Sequence, residues 1–228
     1  MTAGPAPRPL VLVGASGLAR EVLAALRAPG AAYVPVGVVD DDPRRHGATL
    51  DGLPVLGGLD ALAERPGAEV LVCVGRGADR AALVDRLRAA RGSTTWATVV
   101  HPAASVAPGC VVGPGSVLLA GAVLTADVRV GAHAVLMPHV VLTHDDRVGD
   151  FATLAAGVAL GGGVEVGRAA YLGMRASVRE RVRVGAGSTL GMGAVLLTDL
   201  PDGETWAGVP ARPLPVRVRP DGERTVRA

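Results

Sequence analysis

From Val106 to Leu196 every sixth residue is Val or Leu, sixteen times in succession. Neither the 3.6-residue period of a helix nor the two-residue alternation of a strand generates a strict period of six. A second pattern rides on the first. Four residues after the aliphatic the side chain is mostly small, as at Cys110, Ser116, Ala122, Ala134, Ala152, Ala170, Ala176, Ser188 and Ala194. Gly recurs directly after the aliphatic, at Gly113, Gly131, Gly149, Gly161, Gly167, Gly173, Gly185 and Gly191. The repeat describes short strand, turn and short strand, wound into a β-solenoid whose coils stack on one another. The aliphatic is expected to point to the axis, the small residue to let the corner close, and Gly to serve the turn.

A chain of 228 residues is ample for a core. With 49% apolar residues but only 2% aromatic, that core is built from Val, Leu and Ala. Five scattered aromatics (Tyr33, Trp96, Phe151, Tyr171, Trp206) make no base-stacking surface, and the net charge of +2 is interspersed with acids. No nucleic-acid partner is expected. Cys73 and Cys110 give no disulfide framework and read as buried fillers. The Pro-rich start argues against a signal peptide, and no run approaches the ~20 apolar residues of a membrane span, so a cytoplasmic protein without a membrane partner is expected.

Residues 1–100 follow a different pattern. Leu10–Val13 reads as a buried strand, followed by Gly14-Ala15-Ser16-Gly17 and a helix from Ala19 to about Arg27. Strands are expected over Val34–Val39, Val70–Val74 and Trp96–Val100, a short helix over Leu59–Ala63, and a longer one over Ala78–Arg91. This alternation indicates a small parallel α/β, Rossmann-like domain with its ligand at the carboxyl ends of the strands. The first turn is not G-x-G-x-x-G, which weakens a dinucleotide reading, though amides at a helix start can hold a phosphate or a hydroxyl. Asp40 and Asp41 end the second strand; they read either as ligand acceptors or as part of a solvated turn before Pro43.

The chemistry is expected in the solenoid, residues 101–212. His133 and His139 occupy one phase of the repeat, one unit apart. His144 differs, because Asp145 and Asp146 follow it and Asp146 takes a slot that otherwise favours small residues. A histidine beside carboxylates is oriented for general-base work, against the plainer reading of a solvated surface turn. Local departure from a repeat favours function. His139 and His144 have the spacing of the solenoid carbonic anhydrases, but the coil-equivalent third position falls on Ala103 or Pro108, so no metal is expected.

Taken together, Gly14-Ala15-Ser16-Gly17, Asp40-Asp41, His144-Asp145, Val148-Gly149-Asp150-Phe151 and Trp206-Ala207-Gly208-Val209-Pro210-Ala211 resemble the sialic-acid and nucleotide-amino-sugar acetyltransferases. The resemblance covers roughly residues 9 to 213. It implies a left-handed parallel β-helix, a homotrimer with sites between subunits, and acetyl-CoA or another acyl-CoA as co-substrate. By the same resemblance His144 is the general base, with its basicity raised by Asp145, and a sugar or nucleotide-sugar is the acceptor. Thr153, Met174 and Met192 match positions that meet acetyl-CoA, with Gly162 lining the same groove. Ser16, Gly17, Leu18, Asp40, Asp41 and Gly75 match positions that hold the nucleotide-sugar.

Departures accompany the match. The family often has His at Thr153, Gly-His-Gly at Gly17-Leu18-Ala19, smaller residues at Met174 and Met192, and Cys at Asp146. They point to a different acceptor or acyl group within the same chemistry. Residues 213–228 form a tail in which Asp221-Gly222 could turn between two short strands capping the solenoid, or which could lack order. Besides the acyltransferase reading, a carbonic-anhydrase-like metalloenzyme and a non-catalytic trimeric scaffold are the alternatives.

Overall fold

The computed structural model describes residues 6–218 and 224–226. The N-terminal part holds β1 (Arg8–Val13), α1 (Gly17–Leu26), β2 (Tyr33–Val39), β3 (Thr49–Leu50), β4 (Leu53–Gly57), β5 (Glu69–Val72) and α2 (Gly77–Arg91). The sheet order is β3-β4-β2-β1-β5, and β4, β2, β1 and β5 run parallel. The parallel strands are apolar because helices cover them. The β3–β4 hairpin is not legible in the sequence reading. It turns through Asp51 and Gly52, both with positive φ, the geometry that matches strand twist.

The expected strand Trp96–Val100 is divided between the two parts. Trp96 makes a single parallel bridge to Val70, whereas Val99–Val100 pairs with Val117–Leu118 as the first rung of the solenoid. The remaining rungs form a left-handed parallel β-helix with three faces. Face I carries Val99–Val100, Val117–Leu118, Val135–Leu136, Thr153–Leu154, Tyr171–Leu172, Thr189–Leu190 and Thr205–Ala207. Face II runs from Ser105–Val106 to Val195–Leu196, and face III from Val111–Val112 to Arg183–Val184. Partners lie 18 residues apart, as in Val117↔Val135↔Thr153↔Tyr171. The coils are tied by backbone bonds such as Val117 N to Ala134 O and Thr153 N to Ala170 O, both 2.9 Å.

From Leu118 to Leu196 the sixfold aliphatics point inward as expected and, with small residues such as Ala122 and Ala134, form one buried core, whereas Val106 in the first coil is exposed. Glycine's role differs from expectation. Gly directly after the aliphatic does not adopt positive φ; a Cβ on Gly167 would stand 2.5 Å from Ala186 N of the next coil. Close stacking requires Gly there. The left-handed residue comes two positions later and is often not glycine, as at Asp127, His133, His139, Asp145, Phe151 and Arg175.

Faces II and III differ outward. Face II presents Ser105, Val123, Val141, Ala159, Ser177 and Val195, without a charge, while face III presents Val111, Arg129, Arg147, Glu165 and Arg183. Face I is partly covered by the N-terminal part: Val99, Val117, Leu119 and Val135 share a core with Leu10, Leu18 and Val22. At the C-terminal end Arg212–Pro213 pairs antiparallel with Thr205–Ala207, closing face I. Val216–Val218 pairs antiparallel with Arg224–Val226; the Asp221-Gly222 turn lies outside the described residues. No helix among the described residues is long and apolar enough to cross a membrane.

The two glycine roles predict different costs. Gly167→Ala forces backbone apart and should cost about 1–3 kcal/mol or more. Gly187→Ala meets open space at φ 62 and should cost about 1–2 kcal/mol from conformation alone. Urea unfolding of both variants measures the order.

Candidate active site

His144 lies in the turn Thr143–Asp146, at the corner between faces II and III. Its ring is 68% exposed, and Nδ1 is 2.8 Å from Oδ2 of Asp145. Asp145 is the left-handed residue of this corner, with φ 64. Nδ1–H donating to the carboxylate leaves Nε2 with a free lone pair, the arrangement a general base needs. One coil further on is Gly162, where any Cβ would collide with Nε2 and Cε1 of His144. The Gly162 carbonyl accepts from Arg181 N, and its own N–H has no partner among the described residues. The His144 ring therefore stands against Gly162, whose amide is left without a partner among the described residues.

The positions matched to the acyl donor do not converge on His144 within one chain. Met174 and Met192 sit at the corner between faces I and II, 52% and 72% exposed. With Pro138, His139, Ala156 and Arg175 they line a groove of about 650 Å³. Gly162 is not part of that groove; face II lies between. His139 shares the corner of the methionines, so His139 and His144 are separated by the same face. Among the described residues no group of three or more His, Cys, Asp or Glu could hold a metal ion.

Thr153 is buried, and its hydroxyl joins the two parts of the chain. Oγ1 donates to Gly75 O at 3.1 Å and accepts from Arg80 at 3.0 Å. Beside it opens a cleft of about 690 Å³ lined by Gly17, Leu18, Gly75 and Arg76 from the N-terminal part and Val135, Met137, Thr153, Tyr171 and Met174 from the helix. Thus Gly17, Leu18 and Gly75 meet Thr153 and Met174 in one place. Ser16, Asp40 and Asp41 are near but otherwise engaged. Ser16 Oγ donates to Cys73 O at 2.5 Å and caps α1 by accepting from Ala19 N. Asp40 accepts from Ala15 N at 2.7 Å and Asp42 N at 2.9 Å, which holds the first glycine turn against the second strand end. Asp41 pairs with Arg86 of α2 at 2.7 Å. Burial pushes the Cys73 thiol up to about 12, so it offers no thiolate nucleophile.

Arg80 was not singled out in the sequence, although it falls on the same face of α2 as Val84 and Leu87, all buried. Its guanidinium is fully buried and meets no carboxylate. Nε donates to His133 O, Nη1 to Val74 O and Gly75 O, and Nη2 to Phe151 O, Ala152 O and Thr153 Oγ1, at 2.7–3.2 Å. Desolvation lowers it only to about 10, so it stays charged, solvated by carbonyl dipoles. It fixes Gly75 against the helix and so shapes the cleft. Beside it His133 is buried with both ring nitrogens unpartnered, 4.7 Å from Trp96 edge-on and stacked 5.1 Å from Phe151. Burial, with Arg88 and Arg80 adding to it, pushes His133 down to about 4.

Two measurements follow from this junction. Arg80→Met leaves several buried carbonyls unpaired and should cost at least about 3 kcal/mol in urea unfolding at pH 7. His133 takes up a proton first in the unfolded chain, because its folded value of about 4 lies below the ordinary 6.5. Stability is then full above about pH 6.5 and falls as the pH drops toward 4, by about 3 kcal/mol in all. His133→Leu should flatten that acid limb, and an unchanged limb would remove His133 as its cause.

The comparisons with known proteins agree with this geometry. The family profile described as the PglD N-terminal domain matches residues 9–87. No curated protein sequence matches the chain. Among solved structures, perosamine N-acetyltransferase from Caulobacter crescentus, in complex with CoA and GDP-perosamine, is 34% identical. The match covers 92% of this chain and 99% of that one, with a TM-score of 0.83. Variants of that enzyme with one histidine replaced by Asn or Ala are also among the matches. The acetyltransferase domain of PglB from Neisseria gonorrhoeae, in complex with acetyl coenzyme A, is 31% identical over 92% of this chain and 100% of that one, TM-score 0.82. WeeI from Acinetobacter baumannii is 27% identical over 90% and 99%, TM-score 0.78. The chain belongs to the hexapeptide-repeat nucleotide-amino-sugar acetyltransferase family and is an acyl-CoA-dependent sugar acyltransferase.

Proposed function

We propose that the chain moves an acyl group, most simply acetyl, from CoA to the amine of a nucleotide-linked amino sugar, with His144 as general base. The observation that carries this reading is the exposed His144–Asp145 pair standing over the open Gly162 amide. The neutral amine of the sugar attacks the thioester carbonyl while Nε2 of His144 takes its proton. The Gly162 N–H, without a partner among the described residues and on the residue that faces the imidazole, is suited to the oxyanion that forms on the carbonyl oxygen. Collapse of the tetrahedral intermediate breaks the C–S bond, and His144 returns the proton to the CoA sulfur. Asp145 holds the ring orientation throughout. An amine acceptor is favoured over a hydroxyl because the similar solved enzymes include N-acetyltransferases, one of them bound to a nucleotide-linked sugar.

A homotrimer follows from the same reading. His144 flanks face II on one side, and the Met174–Met192 groove flanks it on the other. Face II is flat, without charge and uncovered, whereas face III is charged and face I is occupied by the N-terminal part. Packing three copies about face II brings the base of one subunit to the groove of the next. The acyl-CoA then lies along the methionine corner, and the nucleotide-sugar reaches it from the cleft beside Gly17, Leu18 and Gly75.

Thiol release from acetyl-CoA, measured against a panel of nucleotide-linked amino sugars, tests the reading. His144→Ala should lower kcat by about 10²–10⁴-fold while the assembly size in solution stays unchanged. Full turnover in that variant would overturn the base assignment. A monomer that is fully active at all concentrations would overturn the shared site.

A further inference from the structure

Inside the β-helix, at the corner between faces II and III, successive coils place Cys110, Val128, Asp146, Val164 and Val182 in one column. Asp146 is the one charged member, and it is 0% exposed. Its two oxygens hold two different stretches of backbone. Oδ2 accepts from Thr143 N at 2.8 Å, closing the turn that carries His144 and Asp145. Oδ1 accepts from Val164 N at 2.8 Å, in the next coil, two residues from Gly162. Thr143 Oγ1 adds a third tie by donating to Leu160 O at 3.1 Å.

We infer that Asp146 is a positioning residue for acyl transfer: its carboxylate clamps the His144 turn to the Gly162 coil and fixes the separation of base and oxyanion donor. The inference rests on the reading of His144 as base. A column of aliphatic side chains has no need of a carboxylate, and burying one is costly. Two amides in different coils explain its presence, since a carboxylate accepts both at once.

Only the ionised form does this cleanly. A protonated carboxyl must place a hydrogen, and the side chains above and below are Val128 and Val164, which accept none. The titratable groups that act on it are His144 and Asp145 of its own turn. Burial pushes the carboxyl up to about 6, with Asp145 adding to the rise, against the pull of the two amides and of His144. The clamp is therefore closed above about pH 6 and released below it. Turnover then requires an ionised Asp146 in addition to the free base and the neutral acceptor amine.

Steady-state kinetics across pH on the wild-type chain, Asp146→Asn and His144→Ala provide the test. In the wild type, log kcat/KM on the acid side should fall more steeply than in Asp146→Asn, by the one extra proton that Asp146 takes up. Asp146→Asn keeps the shape but turns an amino group toward one of the two amides. It should lose roughly 10- to 100-fold in kcat with KM for both substrates within about twofold, and its acid limb should be shallower than the wild type's by one proton. Wild-type kcat in the variant, or a lower kcat with the acid slope unchanged, overturns the inference; the second result describes a merely structural residue. Should Asp146→Asn fail to fold, Asp146→Cys, the residue type at Cys110 in the same column, is read in the same way. His144→Ala separates the two ideas. Retained turnover there overturns the base reading, whereas an inactive His144→Ala beside a wild-type profile for Asp146→Asn overturns the Asp146 inference alone.

Discussion

The backbone ladder between coils is the interaction on which the rest of the molecule depends. Each rung donates to the coil that follows and accepts from the one before, with an 18-residue register that holds from Val99 to Thr189 and shortens to 16 only at the last rung, Thr205. A parallel ladder of this kind leaves no room for drift, because a shift by one residue would turn every inward aliphatic outward. It also stacks each side chain on its counterparts 18 residues away. His144 stands over Gly162 for this reason, and His133 lies on Phe151 with Gly115 above it. The corner geometry follows from the same stacking. Where the next coil comes as close as it does at Gly167 and Gly173, only Gly fits directly after the aliphatic, while the left-handed residue two positions later tolerates Asp, His, Phe or Arg.

The second organising contact is the seam where the N-terminal part meets face I. It combines an apolar core with one charge, Arg80, whose donors all end on carbonyls and a hydroxyl rather than on a carboxylate. The guanidinium reaches six acceptors through its three nitrogens, and Lys, with one nitrogen, lacks that fork. The seam is therefore fixed at Gly75 and Thr153, two residues that line the cleft. The interdomain cleft and the rigid seam are one construction, and this is why residues far apart in sequence meet there.

His144 and Asp145 are separated from that cleft by one whole face of the prism. The corner that carries His144 combines a charged residue, Asp146, buried in a column that is otherwise Cys and Val, with a carboxylate at the left-handed position next to the imidazole and a glycine in the coil beside it. Each is costly or neutral for folding by itself. Together they position an imidazole, a carboxylate and a free amide within one turn and the coil below it, which is the chemistry that acyl transfer asks of a protein.

The sequence by itself determined the solenoid, the phase of every inward residue, the helices near Ala19 and Ala78, and the pairing of His144 with Asp145. All of these are written locally, in periods of six or fewer residues or in adjacent positions. Only the tertiary structure decided why Gly follows the aliphatic, that Val99–Val100 begins the helix rather than ending the sheet, and that Ser16 and Asp40 are bound up with backbone. It alone also placed Arg80 at the seam and gave Asp146 its two amides. Those facts depend chiefly on contacts between residues 18 to 73 positions apart, and a period read along the chain carries no record of which distant carbonyl or amide a buried charge will meet.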